Sequence, residues 1–311
     1  VGNDSEAALQ RICANDVAVS PGKIVYTGVL NERGGFECDL TVTRLAEDTF
    51  LIVTGVQTAT RDADWIRKHI QQHERASLVD VTSSYCVVSL MGPKAPALLS
   101  CVADADLSKE GFPFATAREI DVGKAMALAT RISYVGEEGW ELYLKTDVAL
   151  TAYDAIVQAG AEFGLQHAGF HALNSLRLEK GFRHWGDDIT PFDTPLQAGL
   201  SFAVAIDKSA PFIGREALLA QKVAGVGRRL VHVKVLDETL QIYGTEPIRR
   251  NGIIVGSLTS GAFGHTLGLP VGLGYITCET NADRASIETG LYEVEIAGVP
   301  VPVRISLKPF L

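Results

Sequence analysis

Four polar side chains fall on segments of strand-like sequence and could do chemistry. They are Tyr26, Asp39, Tyr134 and Glu141. A carboxylate can take up a proton from a reacting group or accept two N–H donors, and a phenol can donate or accept one hydrogen bond. In "FECDLTVTRL" the apolar residues at 40 and 42 share one face, so Asp39 points away from the apolar side of its strand. From residue type alone, a strand carboxylate such as Asp39 most often faces solvent.

The motifs of several common chemistries are missing. The chain has no GxGxxG after an N-terminal strand, no Walker GxxxxGK[ST], no HExxH and no GxSxG, and "GVGRRL" at 225–230 is too short and wrongly placed for a dinucleotide. His167 and His171 lie four residues apart, but no acidic or cysteine partner stands at motif spacing. We interpret them as a structural pair and predict no metal site.

The elements that must position Tyr26 and Asp39 lie near the N-terminus. "KIVYTGVL", "FECDLTVTRL" and "TFLIVTG" are typical of three successive strands separated by turns. A helix is predicted from Thr60 to about Ala76, followed by strands in "SLVDVT" and "YCVVSLMG". Strands flanking a helix in this way indicate an α+β fold with a mostly antiparallel sheet.

Tyr134 and Glu141 are predicted to lie on one hairpin. In "ATRISYVGEEGWELYLKT" two strands turn around 136–139, with the apolar residues at 140, 142 and 144 on one face and Glu141 on the other. The next helix is predicted to be capped by Asp147 and to end at Gly164.

The sequence pattern of the second half of the chain changes twice, from helical to irregular and then to strand-like. The helical pattern that begins near residue 171 stops at Gly181, and an irregular segment to residue 200 follows, of the kind that often lines sites. We interpret Asp187 and Asp188 in that segment as carboxylates that bind turn backbone. From Arg228 onward short strands alternate with turns, which favours a separate C-terminal β-barrel. We therefore predict domains at 1–208 and 209–311.

Composition limits the class of partner. The 311 residues are 47% hydrophobic and carry 28 Lys plus Arg against 37 Asp plus Glu, so the net charge of −9 disfavours nucleic acid and anionic membranes. No apolar run reaches the ~18 residues of a membrane helix, so we expect a soluble protein. Five cysteines without CxxC spacing indicate a reducing compartment, such as a bacterial cytoplasm or a mitochondrial matrix.

Five segments in order along nearly the whole chain resemble the aminomethyltransferase family, the T-protein of the glycine cleavage system. They are "YTGVLNERGGFECDLTVTRL" (26–45), "YVGEEGWELYL" (134–144), "LNSLRLEKGFRHWGDDITPFDTPLQAGL" (173–200), "FIGREAL" (212–218) and "GSLTSGAFGHTLGLPVGLGYI" (256–276). The segment 179–200 is most similar to the tetrahydrofolate domain at the C-terminal end of dimethylglycine and sarcosine dehydrogenases.

This resemblance implies a three-lobed fold with a C-terminal β-barrel, arranged around a channel that holds the pterin. It implies that Asp39 is catalytic, positioning or deprotonating the folate amine that attacks an iminium or aminomethyl donor derived from a small amine. It also implies that Glu141 binds the pterin's exocyclic amino group and ring N–H, and that Tyr26 and Tyr134 contact the pterin. Tetrahydrofolate would be the cofactor, and FAD would be needed only in an upstream flavin domain.

Three departures from the family pattern affect how folate is held. Leu173 stands where T-proteins carry a folate-contacting Arg, and Gly55 stands where they carry an Asn. The family's first strands are also missing, so we expect the N-terminal domain to be truncated.

Other members of the family leave alternative functions open. One is a non-catalytic interaction module, as in the regulatory subunit of pyruvate dehydrogenase phosphatase, and another is a folate-dependent O- or S-demethylase. The folate-binding relative linked to iron–sulfur cluster assembly is disfavoured, because its cysteine motif is absent where this chain has "PFIGREAL".

Overall fold

Three antiparallel sheets organise the chain, and the computed structural model describes all residues from 1 to 311. The strands are β1 Ile24–Leu30, β2 Phe36–Arg44, β3 Phe50–Val53, β4 Tyr85–Met91, β5 Ala117–Val122, β6 Ala125–Thr130, β7 Gly139–Lys145, β8 Arg228–Val235, β9 Pro247–Arg250, β10 Ile253–Gly264, β11 Leu269–Thr277, β12 Tyr292–Ile296 and β13 Val299–Ser306. The helices are α1 Ser5–Ile12, α2 Ala59–His69, α3 Ala95–Ser100, α4 Ala149–Gly160, α5 Phe170–Glu179, α6 Arg215–Ala224 and α7 Arg284–Glu288.

The first sheet, β1-β2-β3, carries Tyr26 and Asp39 as predicted. Cys38, Leu40 and Val42 on one face of β2 are buried in a core shared with α1 and α2. Because side chains alternate along a strand, Asp39 lies on the opposite face. In the register of the β1–β2 pair, Asp39 is opposite Gly28 and diagonal to Tyr26, which places the two functional candidates within reach of one another.

The second sheet, β4-β7-β6-β5, contains Glu141. The apolar residues at 140, 142 and 144 are fully buried on one face, which confirms that part of the hairpin prediction. The connection between β6 and β7 is longer than predicted, because pairing ends at Thr130 opposite Glu141 and residues 131–138 form a loop. Tyr134 therefore lies in a loop, and its predicted place on a strand is wrong.

Three local predictions differ from the structure. Helix α2 ends at His69, short of the predicted end near Ala76, and residues 77–82, predicted as a strand, pair with no other strand. Leu78 in this stretch packs partly buried against the core of the first sheet, but Val79 and Val81 are 61% and 38% exposed, so the apolar pattern does not mark a buried strand face. Asp147 does not cap α4, whose N-cap is Val148 without a side-chain hydrogen bond, whereas Gly164 ends that helical stretch with φ +72° as predicted.

The third sheet is a closed barrel in the order β10-β11-β8-β13-β12-β9. Its buried core is separate from those of the other two sheets, and the predicted α+β class with a C-terminal barrel is confirmed. None of the helices combines the length and the apolar character that crossing a bilayer requires.

Helix α5 joins the barrel to the rest of the chain through buried polar contacts. The Glu179 carboxylate, which is buried, accepts hydrogen bonds from the backbone N–H groups of Thr266 and Leu267 in the β10–β11 turn. Ser175 donates to the carbonyl of Phe263 at 2.6 Å. The C-terminal half of α5, from which the irregular segment starts, is thus held against the barrel.

Candidate active site

Asp39 and Tyr26 form a direct hydrogen-bonded pair, in which the Tyr26 hydroxyl donates to Asp39 Oδ2 at 2.9 Å. Burial raises the pKa of the Asp39 carboxyl, and the hydrogen bond from Tyr26 works in the opposite direction. Burial also raises the pKa of Tyr26 well above its ordinary value, and the neighbouring Asp39 charge adds to this. A carboxylate whose pKa is raised and which keeps one hydrogen-bond partner is suited to exchange a proton with a reacting group.

Tyr134 lies close enough to this pair to interact with it electrostatically. Burial is the main cause of the raised pKa of Tyr134, while the charge of Arg177 lowers it and that of Asp39 raises it. The hydroxyl of Tyr134 donates to the backbone carbonyl of Arg183 at 2.8 Å, and its ring stacks on Phe182 with centroids 6.1 Å apart. Tyr134 thus influences the electrostatics of Tyr26 and Asp39 but makes no hydrogen bond with either of them.

Glu141 forms a separate pair on β7. The Tyr143 hydroxyl donates to Glu141 Oε2 at 2.8 Å, and burial raises the pKa of the Glu141 carboxyl. Oxygen Oε1 accepts no hydrogen bond from the protein and is free for a ligand. The chain therefore has two half-buried carboxylates, Asp39 and Glu141. Each accepts a hydrogen bond from one tyrosine, and the two carboxylates do not contact each other.

The two carboxylates have the hydrogen-bonding capacity to accept N–H donors of the kind that a reduced pterin carries. The 2-amino group and ring N–H of a pterin are two parallel donors, and a carboxylate such as Glu141 is their natural acceptor. The folate amine needs a proton acceptor nearby, and Asp39 can serve.

A third carboxylate, Asp62, was missed in the sequence. It lies in the first turn of α2, is 1% exposed, and accepts hydrogen bonds from Thr54 and Thr58, the latter at 2.7 Å. Its Oδ1 has no hydrogen-bond partner, and its charge contributes to raising the pKa of Asp39. Gly55, one of the departures from the family pattern, lies exposed in the turn between these two threonines.

A buried ion pair behind the site was also missed. Arg177 on α5 and Asp188 in the irregular segment are 2% and 0% exposed, and Arg177 Nη1 donates to Asp188 Oδ2. As expected, Asp188 binds turn backbone, since it accepts from the N–H of His184 at 3.0 Å. The sequence did contain a signal for this pair, because Arg177 stands between two leucines in "LRLE". A charged residue in such an apolar stretch is buried only when it has a partner of opposite charge.

Comparison with known proteins places the chain in a family. Residues 1–208 match the family model for the GCVT N-terminal domain, and residues 228–311 match the glycine cleavage T-protein C-terminal barrel domain. The chain is 39% identical over 309 residues to 4-methylaminobutanoate oxidase (formaldehyde-forming) from Paenarthrobacter nicotinovorans, covering 99% of this chain and 37% of that protein. It is 38% identical over 327 residues to mitochondrial sarcosine dehydrogenase from Mus musculus, covering 100% of this chain and 36% of that protein.

A solved structure extends this similarity to the whole fold. Glycine cleavage system aminomethyltransferase T from Bartonella henselae superposes with a TM-score of 0.86 at 28% identity, covering 100% of this chain and 82% of that one. The chain spans just over a third of the length of the two curated relatives, and four fifths of the solved structure. It belongs to the glycine cleavage T-protein family, the aminomethyltransferase type of folate-binding one-carbon transfer proteins.

Proposed function

We propose that this chain transfers a one-carbon unit from an aminomethyl or iminium donor to tetrahydrofolate, giving 5,10-methylenetetrahydrofolate. The observation that carries the proposal is the Tyr26–Asp39 pair, a half-buried carboxylate with a raised pKa that is hydrogen-bonded to a tyrosine. Family membership supports the class of reaction, and the position of Asp39 on the polar face of β2 supports its role.

Asp39 acts as the proton acceptor in this proposal. The transfer forms two C–N bonds to folate and breaks the C–N bond of the donor, whose nitrogen departs as an amine with the proton of the second folate amine. In the first step a neutral folate amine attacks the donor carbon through its lone pair, and its own N–H proton must leave as the new C–N bond forms. Asp39 takes that proton, and Tyr26 holds the carboxylate in place through its hydrogen bond. Positioned acid–base help of this kind contributes about 10²–10⁴-fold to a rate.

Glu141 orients the pterin in this proposal. Its free oxygen and the oxygen shared with Tyr143 can accept the two parallel N–H donors of the ring. Charge-assisted hydrogen bonds of this type contribute roughly 1.5–3 kcal/mol. Tyr134 supplies a ring and a hydroxyl beside Asp39, and we assign it a contact with the same ligand.

The donor is proposed to arise by oxidative N-demethylation of sarcosine or dimethylglycine. The two curated relatives are an oxidase of 4-methylaminobutanoate and a dehydrogenase of sarcosine, and both of those substrates are N-methyl amino acids. Because those proteins are almost three times longer, we propose that an FAD-containing domain produces the donor and that the present chain accepts it. No residue of this chain is assigned to the flavin.

Calorimetric titration with 5-formyltetrahydrofolate, a stable folate analogue, tests the binding site. We expect micromolar binding by the parent chain and at least about a tenfold loss in Glu141→Gln, which keeps the shape of the side chain but removes its charge. The matched control is Glu119→Gln on β5 of the same sheet, where the side chain is exposed. Absence of binding by the parent would contradict the proposal and favour an interaction module.

A transfer assay tests the chemistry. Sarcosine and a separate sarcosine-oxidising flavoenzyme supply the donor, and formation of 5,10-methylenetetrahydrofolate is followed with a coupled dehydrogenase. Asp39→Ala should lose folate-dependent transfer while keeping the circular dichroism spectrum and folate affinity of the parent. Normal transfer by this variant would refute the role of Asp39.

A further inference from the structure

One peptide unit connects Tyr134 to the buried ion pair. The carbonyl of Arg183 accepts the Tyr134 hydroxyl at 2.8 Å, and the N–H of the next residue, His184, donates to Asp188 Oδ2 at 3.0 Å. These two groups belong to the same planar amide, so the orientation of one fixes the orientation of the other. A carboxylate that accepts from the N–H end of an amide also polarises it and strengthens its carbonyl as an acceptor.

Asp188 is in turn fixed by the C-terminal barrel. Thr259 on β10 donates to Asp188 Oδ1 at 2.5 Å, and Tyr275 on β11 donates to the backbone carbonyl of Asp188 at 2.9 Å. Arg177, which neutralises the carboxylate, also donates to Ser260 on β10 at 2.8 Å. Two adjacent barrel strands therefore determine where this carboxylate lies.

We propose that Asp188 is a positioning residue, which fixes the Tyr134 hydroxyl through the Arg183–His184 peptide and so makes the geometry of the folate site depend on the barrel. The path has three hydrogen bonds in sequence: Thr259 to Asp188, His184 N–H to Asp188, and Tyr134 to Arg183 C=O. Its effect on folate binding rests on the proposed function, because it requires Tyr134 to contact that ligand.

Thr259→Val is the variant of choice, since it removes one donor to Asp188 while keeping a β-branched side chain on the strand. Asp188→Asn is less suitable, because it leaves the charge of Arg177 buried without a counter-ion and is expected to impair folding. The matched control is Thr277→Val, a threonine at the exposed end of β11 whose hydroxyl makes no hydrogen bond.

The first measurement does not involve folate. In the full chain labelled with [13Cζ]tyrosine, the Tyr134 resonance is identified by its loss in Tyr134→Phe. We expect this resonance to shift or broaden in Thr259→Val and to stay in place in Thr277→Val. An unchanged Tyr134 resonance in Thr259→Val would overturn the proposed positioning role.

The second measurement is the Kd for 5-formyltetrahydrofolate in a double-mutant cycle. Thr259→Val should weaken binding roughly three- to tenfold in the parent and leave it unchanged in the Tyr134→Phe background. An equal loss in both backgrounds would overturn the proposal, because the threonine would then act by general destabilisation. If the resonance moves but no chain binds the analogue, the positioning path stands and the proposed folate function fails.

Discussion

The charged carboxylate of Asp39 lowers the stability of the folded chain. Its carboxyl is largely desolvated and has one hydrogen-bond donor, and its pKa is raised from the ordinary 3.8. Between pH 3.8 and that raised pKa the native state binds more protons than the unfolded state, so stability falls as the pH rises through this window. Above that raised pKa the whole cost is present, and such a cost is typical of a group kept for chemistry.

Asp39→Asn should therefore stabilise the chain at pH 7. The amide keeps the shape and an acceptor for Tyr26 without a buried charge, and we expect a gain of about 1 kcal/mol, or roughly 2 °C in Tm. Thermal unfolding followed by circular dichroism at pH 7 and pH 4 is the measurement, and the gain should shrink at the lower pH. Asp64→Asn, an exposed residue paired with Lys68, is the control with little change. A lower Tm for Asp39→Asn at pH 7 would contradict this account.

Tyr26→Phe should move the pH dependence of transfer. The hydrogen bond from Tyr26 lowers the pKa of Asp39, so its removal raises that pKa further. The acid limb of the rate profile, where Asp39 becomes protonated, should then shift to higher pH. Initial rates between pH 5 and 9 measure the shift. Tyr143→Phe removes the matching hydrogen bond at Glu141 and should weaken folate binding without moving that limb.

At the scale of the elements, the strands and helices that could be predicted from the sequence are those specified by residues close together in the chain. The alternation of "FECDLTVTRL" and the turn beside it specify β2 and the face that Asp39 occupies, because both signals lie within ten residues. Residues 77–82 show a similar pattern but pair with no strand, and Val79 and Val81 lie exposed. Tyr134 and the Arg177–Asp188 pair could not be located, because most of their partners lie far along the chain, up to 87 residues for the bond from Tyr275 to the Asp188 carbonyl.

Two glycines that end helical stretches allow a test of element packing. Gly164 and Gly181 have similar φ values of +72° and +69°, but a Cβ on Gly164 would meet nothing within 4 Å, whereas one on Gly181 would lie 2.1 Å from a ring carbon of buried His232. Gly164→Ala should cost only the left-handed conformation, about 1–2 kcal/mol. Gly181→Ala should cost clearly more, measured as a shift in the urea midpoint. Equal costs would mean that α5 is not packed tightly on the barrel.

At the scale of the whole molecule, buried polar contacts hold the barrel to the segment that carries Arg183 and Asp188. The Tyr275 hydroxyl bonds to the Asp188 carbonyl, and the Arg228 guanidinium lies 3.6 Å from the centroid of the Tyr275 ring. By contrast, the hydroxyl of Tyr292 on β12 is buried without a hydrogen-bond partner. Tyr275 and Tyr292 are each 4% exposed in the same barrel, but only the hydroxyl of Tyr275 makes a hydrogen bond.

Removing each hydroxyl should give different results. Tyr275→Phe leaves a buried carbonyl without its donor and should destabilise the chain by about 1–2 kcal/mol, whereas Tyr292→Phe removes an unpaired group and should be neutral or slightly stabilising. Urea unfolding monitored by tryptophan fluorescence measures both. Equal losses would show that ring packing alone, rather than the contact with Asp188, determines the effect.

The Arg183–His184 peptide has a consequence for how this family can diverge. Both of its hydrogen bonds use main-chain atoms, so they place no requirement on the side chain of His184. Substitutions at that position can alter the polarity of the surroundings of Asp39 while the amide continues to hold Tyr134. The coupling requires the side chains of Tyr134, Asp188 and Thr259 but not that of His184, so we expect position 184 to vary in the family while those three residues are kept.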